Sequence, residues 1–356
     1  MKTILITASS LSPVGIDTIL SLKDHYKIVC ADTKPKNDSV ALYFCNRYYQ
    51  VPMAKDGSKY IDRIIEICEK EQVEIILPLT IEETVALLAN KDFFISKNIR
   101  IANGNHYDII ATCSDKWLTN KFLRDKGIPV PKAIPIYRAN DIVKNIQKFG
   151  YPEKRVVIKP RITHGSRGFK ILTAYKSDLS LIVDTKPTDF HFINANYFCD
   201  TVKGKSLNLI LMDYLEGNDY SVYAFCIDGE PLIILPMKRS GLLPGMSTGG
   251  TLEKNENIIN YVTKISRAFG FNGVINFQLK HTLYGPLLYE INTRISATTV
   301  IGRGTYINFP LYTILLSEGK KNEIKKRISE TTILWGLKLY RVQREIYRYK
   351  DNFYEK

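Results

Sequence analysis

Two neighbouring stretches in the C-terminal half carry oxygen-bearing side chains at a spacing that could hold a hard cation. In residues 274–280, Ile275, Phe277 and Leu279 alternate with Asn276, Gln278 and Lys280. In residues 287–292, Tyr289 and Ile291 alternate with Glu290 and Asn292, and Arg294 continues the polar side. A period of two is the pattern of strands with one apolar and one polar face. Tyr284-Gly285-Pro286 between them is a turn signal. A hairpin closing about Tyr284 sets Gln278 opposite Glu290, with Asn292 two residues along the same face. Two amide oxygens and a carboxylate suit Mg²⁺, with Mn²⁺ as a substitute, because such a site keeps positions for water or phosphate oxygens. The alternative is a solvated sheet face, which would more usually carry Lys, Thr and Glu.

Lys159 ends an apolar stretch and is followed by a polar loop, Pro160 to Gly168, that contains Gly165, Ser166, Arg167 and Gly168. Glycines let backbone N–H groups approach phosphate oxygens, and the hydroxyl and guanidinium add donors. The loop lacks the GxxxxGK[ST] pattern, and a hairpin turn is an equal reading. A third stretch runs Asp213-Tyr214-Leu215-Glu216-Gly217-Asn218-Asp219, an acidic linker between two strand-like segments. Apolar backbone flanked by carboxylates could hold an adenine and its ribose. An ordinary loop would read the same way.

These residues need elements to position them. Residues 1–105 alternate strand and helix. Strands are expected at 2–7, at 26–30 ending before Asp32, and at 73–79. Helices are expected from Ser12-Pro13 to Leu22, at 60–70 with Ile61, Ile64, Ile65 and Cys68 on one face, and at 81–89. This rhythm predicts a parallel sheet covered on both faces. The first turn, residues 8–13, lacks GxGxxG, which argues against dinucleotide binding. Ser114 and Asp115 can cap a helix running to Lys126, where Gly127 stops it. Strands at 156–159 and 169–172 flank the polar loop. Beyond residue 208 the pattern becomes α+β, with strands at 208–214, 220–227 and 232–237, a helix at 258–269 and the hairpin. Residues 240–251 hold four glycines and read as a long connection that is mobile or folds over a ligand. Lys238 and Arg239 before it are candidates for substrate contact, with an exposed basic strand end as the alternative. Thr298 and Thr299 are placed in the same pocket.

The net charge is +14, with much of the excess in the C-terminal stretch around Lys320-Lys321, Lys325-Lys326-Arg327, Arg341, Arg344, Arg348 and Lys350. No RNA or DNA motif accompanies it, so a solvated basic face is expected and no nucleic-acid partner. The six cysteines show no CxxC or zinc spacing and are expected as free thiols in a reducing cytosol. No apolar run approaches the ~18–20 residues of a membrane span. The apolar Ile4-Leu5-Ile6 is too short for a signal core. A cytoplasmic location follows as an expectation.

Taken together, the order of these pieces from about Thr3 to Gly319 resembles the ATP-grasp superfamily, in its carbamoyl-phosphate-synthase-like branch. The most specific likeness is Gln278 followed by Tyr289-Glu290-Ile291-Asn292-Thr293-Arg294, which looks like the family's metal-binding signature. The resemblance implies a Rossmann-like pre-ATP-grasp domain (1–105) ahead of a two-lobed ATP-grasp fold, α/β and α+β. The small lobe would span 106–205 with its linker and glycine loop, and the large lobe 206–356 with a basic extension. It further implies ATP with one or two Mg²⁺ on Gln278, Glu290 and Asn292, and phosphate contacts from Lys116 and Lys159 with Gly165, Ser166 and Gly168. Asp213, Tyr214, Leu215 and Asp219 would hold adenine and ribose. Arg294 would bind the reacting carboxylate or its acyl phosphate, assisted by Lys159. Residues 78–83 resemble the family's substrate-side turn. The chain departs from the pattern in carrying Asp where Glu is commoner at the nucleotide positions, and in a bulky glycine loop. With one grasp unit and no glutaminase in the sequence, a complete carbamoyl phosphate synthase is not expected. The expected activity joins a small-molecule carboxylate to an amine or thiol through an acyl phosphate. Bicarbonate activation, as in a carboxylase, is the rival within the enzyme class, and a non-catalytic nucleotide-binding regulator is the rival outside it. Homodimerisation is implied by family likeness only. The sequence leaves the substrates and pathway open.

Overall fold

The computed structural model describes residues 1–11, 13–163, 167–174, 191–243, 246–342, 345–349 and 352–354. Gly165, Ser166 and Gly245 lie outside them.

Five short strands open the chain: β1 Thr3–Ile6, β2 Lys27–Asp32, β3 Arg47–Gln50, β4 Ile75–Leu77 and β5 Arg100–Ile101. They pair in parallel in the order β3-β2-β1-β4-β5. Alternation along β1 sends Leu5 to one face, against the helix Ser58–Glu71 with Tyr60, Ile61 and Ile64. It sends Ile4 and Ile6 to the other face, against Val14, Ile19 and Leu22 of the helix Val14–Leu22. Both faces are covered, as the parallel rhythm requires. The second strand runs through Asp32, beyond its expected end, because the Asp32 carboxylate is held inside by the backbone N–H of Ser10 (2.8 Å).

The second sheet contains β6 Ala133–Ile136, β7 Val156–Pro160, β8 Lys170–Thr173, β9 Phe192–Asn194 and β10 Leu209–Asp213, in the order β6-β10-β7-β8-β9. Its outer face packs Val156, Ile158 and Leu211 against helices Ala139–Asn145 and Ala195–Val202. Its inner face presents Val157, Ile210 and Met212 to Trp117, Phe169 and Tyr289. β10 pairs with both β6 and β7, so this sheet runs through Asp213.

The third sheet is antiparallel: β11 Asn218–Ile227, β12 Glu230–Leu243, β13 Met246–Leu252, β14 Gly273–Thr282, β15 Gly285–Asn292 and β16 Lys338–Tyr340, in the order β15-β14-β11-β12-β13-β16. The helix Glu256–Phe269 covers one face through Ile258, Val262 and Ile265. The lower part of the other face, with Tyr223, Phe225 and Leu235, shares a single core with Ile4 and Ile6 of the first sheet. The glycine-rich stretch 240–251 is therefore not a free connection: its described residues are strand, between β12 and β16. The glycines serve close strand approach, since a Cβ on Gly249 would meet the Leu339 carbonyl oxygen at 2.8 Å.

Among the described residues, no helix is long and apolar enough to cross a membrane. All six cysteines are free. The described residues of the basic C-terminal stretch are largely a solvated face, with Lys321 on Asp228 and Arg327 on Glu323; Arg344 and Lys350 lie outside the described residues. Arg341 departs from it: its guanidinium turns inward to donate to the Ala297 carbonyl and lies 3.8 Å from the Asp17 carboxylate.

Candidate functional site

The site is assembled in rows across the third sheet. Cross-strand partners point the same way, so Ser221 of β11 and Gln278 of β14 share a face. Gln278 stands opposite Glu290 on β15, as expected. Tyr223, Asn276 and Asn292 form the next row. On the other side, Asp219 lies beside Lys280 at 3.7 Å and Arg239 at 3.6 Å.

The register of the hairpin reveals one departure from simple alternation. Thr282 pairs with Gly285 at the turn, and the pairing shifts by one between Gln278 and Leu279. This bulge puts two residues of β15 against one of β14, so consecutive side chains no longer take opposite faces. Leu288 and Ile291 face the helix Glu256–Phe269. Tyr289, expected beside Ile291, instead joins Glu290 on the polar face. There its hydroxyl donates to Asp219 (2.9 Å) and accepts from Arg239 (3.3 Å).

Lys238 is excluded from this face. It pairs with Tyr220, whose hydroxyl reaches Glu253 on the helix side, and Lys238 lies 4.0 Å from that same carboxylate. Strand alternation sends Arg239 to the site and Lys238 away from it.

The cations come from the second sheet and the helix beside it. Asp115 caps the helix Lys116–Asp125, accepting from the N–H groups of Trp117 (2.9 Å) and Leu118 (3.2 Å). Ser114 does not cap it; its hydroxyl closes the preceding helix on Ile110. Arg161 grips Asp115 through Nε (3.1 Å) and Nη2 (2.5 Å), fixing the helix start to the exit of β7. Lys116 thus begins a helix and is 7% exposed, with Nζ donating to the Thr163 carbonyl (2.9 Å). Lys159 on β7 is 6% exposed and donates to the Tyr289 carbonyl (3.1 Å) across the lobes.

Burial pushes the Lys159 amine down to about 7, opposed by Glu290 and aided by Lys116. Burial also lowers Lys116 and Arg294, and the Glu290 carboxylate opposes the shift in both. Glu290 is the carboxylate common to all three basic groups, with Asp115 also supporting Lys116 and Glu82 also supporting Arg294; an added anion would favour their charged forms. A cavity lined by Lys116, Asn120, Met212, Leu288 and Glu290 lies between the lobes. A second, where Arg294 meets Pro78, Asn103 and Asn105, lies against the first domain.

Other expected residues fall less squarely on the site. The Asp213 carboxylate accepts from the Lys132 N–H (2.9 Å), so it braces β6. Tyr214 and Leu215 are half-buried at the lobe junction, with Arg155 over the Tyr214 ring. Gly168 keeps a left-handed backbone (φ +71°) against Pro160. Thr298 is buried and hydrogen-bonded to Ser221 (3.1 Å) and Tyr223 (2.5 Å). Asn276, Ser221, Tyr223 and Lys280 were not singled out from sequence. Of these, Asn276 and Lys280 were visible as the polar alternation of β14.

The described residues contain no cluster of three or more His, Cys, Asp or Glu that could hold a metal. The donor set of Gln278, Glu290 and Asn292 still suits a hard cation completed by phosphate oxygens. The hydrogen bond Glu290 accepts from Asn292 is long, at 3.4 Å, which leaves its lone pairs available.

Comparison with known proteins places this geometry. Residues 205–337 match the family model for ATP-grasp in the biosynthetic pathway with Ter operon, and residues 4–102 match the PylC-like N-terminal domain. The carbamoyl phosphate synthase large chain of Clostridium botulinum (strain Kyoto / Type A2) is 25% identical over 299 residues, covering 81% of this chain and 24% of that protein. The chain therefore spans about a quarter of the length of that relative. Biotin carboxylase from Campylobacter jejuni, in a β-γ-ATP complex, superposes with a TM-score of 0.66 at 16% identity, covering 89% of this chain and 71% of that one. L-amino acid ligase from Bacillus licheniformis does so with a TM-score of 0.65 at 16% identity, covering 97% and 81%. A segment matching a PylC-like N-terminal model thus precedes one matching an ATP-grasp model, the same order that the resemblance in the sequence implies.

Proposed function

We propose that this protein is an ATP-dependent ligase that activates a carboxylate as an acyl phosphate and transfers the acyl group to an amine. The observation that carries this reading is the buried Lys116 lining a cavity with Glu290 between two lobes, with the buried Lys159 donating to the neighbouring Tyr289 carbonyl across them; Glu290 opposes the burial shift of both lysines and of Arg294. The cleft has an excess of positive charge, and a triphosphate would balance it.

In this reading Lys116 and Lys159 contact the ATP phosphates. Adenine lies toward the 213–217 linker. Because Asp213 is committed to Lys132, the backbone of Tyr214 and Leu215 is the better adenine partner. Asp219, held between Arg239, Lys280 and the Tyr289 hydroxyl, faces the ribose. Gln278, Glu290 and Asn292 would hold Mg²⁺, which supplies charge neutralisation at the β- and γ-phosphates. Arg294 holds the substrate carboxylate at the junction with the first domain. A carboxylate oxygen attacks the γ-phosphorus and ADP leaves; the amine nitrogen then attacks the acyl carbon, and phosphate leaves as the amine loses a proton. Positioning and electrostatics supply the catalysis.

The test is ADP release across pairs of carboxylic acids and amines, with bicarbonate as a separate arm. ADP formation requiring both an acid and an amine supports the reading. Dependence on bicarbonate alone would replace it with carboxyphosphate chemistry. ATP binding without turnover in any arm would point to a nucleotide-binding regulator.

A further inference from the structure

Behind the candidate metal ligands runs a buried polar chain that the proposed chemistry does not use. Asn276 is 1% exposed and stands directly between Asn292 on β15 and Tyr223 on β11. Its Nδ2 donates to the Ser221 hydroxyl oxygen (2.9 Å). That commitment leaves its Oδ1 for the other side, where the Asn292 Nδ2 lies 3.5 Å away. The Ser221 hydroxyl proton is then free for Thr298 (3.1 Å), and Thr298 meets the Tyr223 hydroxyl, which also contacts Ser296. The chain therefore runs from Asn292 to the turn that follows Arg294.

We propose that Asn276 is a positioning residue that fixes which end of the Asn292 amide is offered to a cation. The inference rests on the Mg²⁺ reading of Glu290 and Asn292. An amide has one oxygen and one nitrogen, and the two ends are nearly equal in shape. A cation needs the oxygen. The Asn292 nitrogen has two acceptors, Glu290 Oε1 (3.4 Å) and Asn276 Oδ1 (3.5 Å); a cation on Glu290 would compete for the first, so Asn276 is the acceptor that keeps the nitrogen on the protein side and leaves the oxygen for the metal. Without that acceptor the amide can turn and present N–H groups, which repel a cation. Outer partners of this kind commonly change metal affinity by about 10–100-fold.

The experiment measures Mn²⁺ binding by electron paramagnetic resonance at saturating ADP, together with ADP affinity in EDTA. The proteins are the wild type, Asn276→Leu, Ser221→Ala and Glu290→Ala, each checked for folding by circular dichroism. Asn276→Leu should weaken Mn²⁺ binding about 10–100-fold while metal-free ADP affinity stays within about twofold. Ser221→Ala, which releases the Asn276 nitrogen, should weaken it by a smaller factor, and serves as the deciding variant should Asn276→Leu not fold. Mn²⁺ affinity within twofold of wild type in the deciding variant overturns the proposal, as does an equal loss of metal and metal-free binding. If Glu290→Ala binds Mn²⁺ like the wild type, the metal reading itself fails, a result distinct from failure at Asn276 alone.

Discussion

Glu83 shows how the first domain stores electrostatic cost beside the site. Its carboxylate is buried at the carboxyl ends of β1 and β4, accepting from the Thr7 and Thr80 hydroxyls (2.8 and 3.0 Å). Burial pushes its pKa up to about 7, against those hydrogen bonds. The folded state then binds more protons than the unfolded state between about 4.5 and 7, so stability falls as pH rises through that window. Glu83→Gln keeps an oxygen for the threonines and removes the charge. Its melting temperature should match wild type near pH 5 and exceed it at pH 8. A gap that does not widen with pH would contradict the assignment. Glu290 is the carboxylate that opposes the burial shifts of Lys116, Lys159 and Arg294. Glu290→Ala should lower turnover by at least about 10²–10³-fold, measured as steady-state ADP release, through loss of transition-state charge stabilisation.

Among the elements, the β14–β15 hairpin shows what a period of two can and cannot reveal. The pairing of Gln278 with Glu290 was reached because two departures cancel: the turn closes at Thr282 and Gly285 and not symmetrically about Tyr284, and the bulge between Gln278 and Leu279 restores the register. The bulge that turns Tyr289 toward the site was not legible, because one inserted residue leaves no local signature. The choice of Arg239 over Lys238 depends on which face of β12 meets the cleft, and that is set by distant packing against Tyr220 and Glu253. The allegiance of β10 to the second sheet is likewise a long-range pairing. Strand β3 escaped notice because Arg47 and Gln50 give it no apolar run. The Asp115 cap was legible, since a capping residue acts on the next turn. Gly217, between β10 and β11, takes φ +125°, and a Cβ there would lie 2.3 Å from the His281 carbonyl oxygen. Gly217→Ala should destabilise the protein by about 1–3 kcal/mol in urea unfolding. It should also weaken nucleotide binding, because the linker borders the proposed adenine position. A variant as stable as wild type would show that the junction yields more easily than its geometry implies.

Across the whole molecule, the first domain and the third sheet share a core, whereas the second sheet meets them chiefly at the cleft. Asn105 and Asn272 reinforce the shared side with reciprocal hydrogen bonds (2.8 and 3.0 Å). Nucleotide binding should therefore act mainly on the second sheet and its inner face, where Trp117 packs near Tyr289 and Met212. In a Trp335→Phe variant, Trp117 is the sole tryptophan. Its emission should change on saturation with MgADP; unchanged emission at saturation would contradict nucleotide binding at that face. The most direct test of the account is calorimetric titration of Mg²⁺-ATP into the wild type and into Glu290→Ala. The account predicts tight wild-type binding, with affinity and Mg²⁺ dependence both lost in the variant. Absence of wild-type binding, or equal Mg²⁺-dependent binding in both proteins, would contradict it.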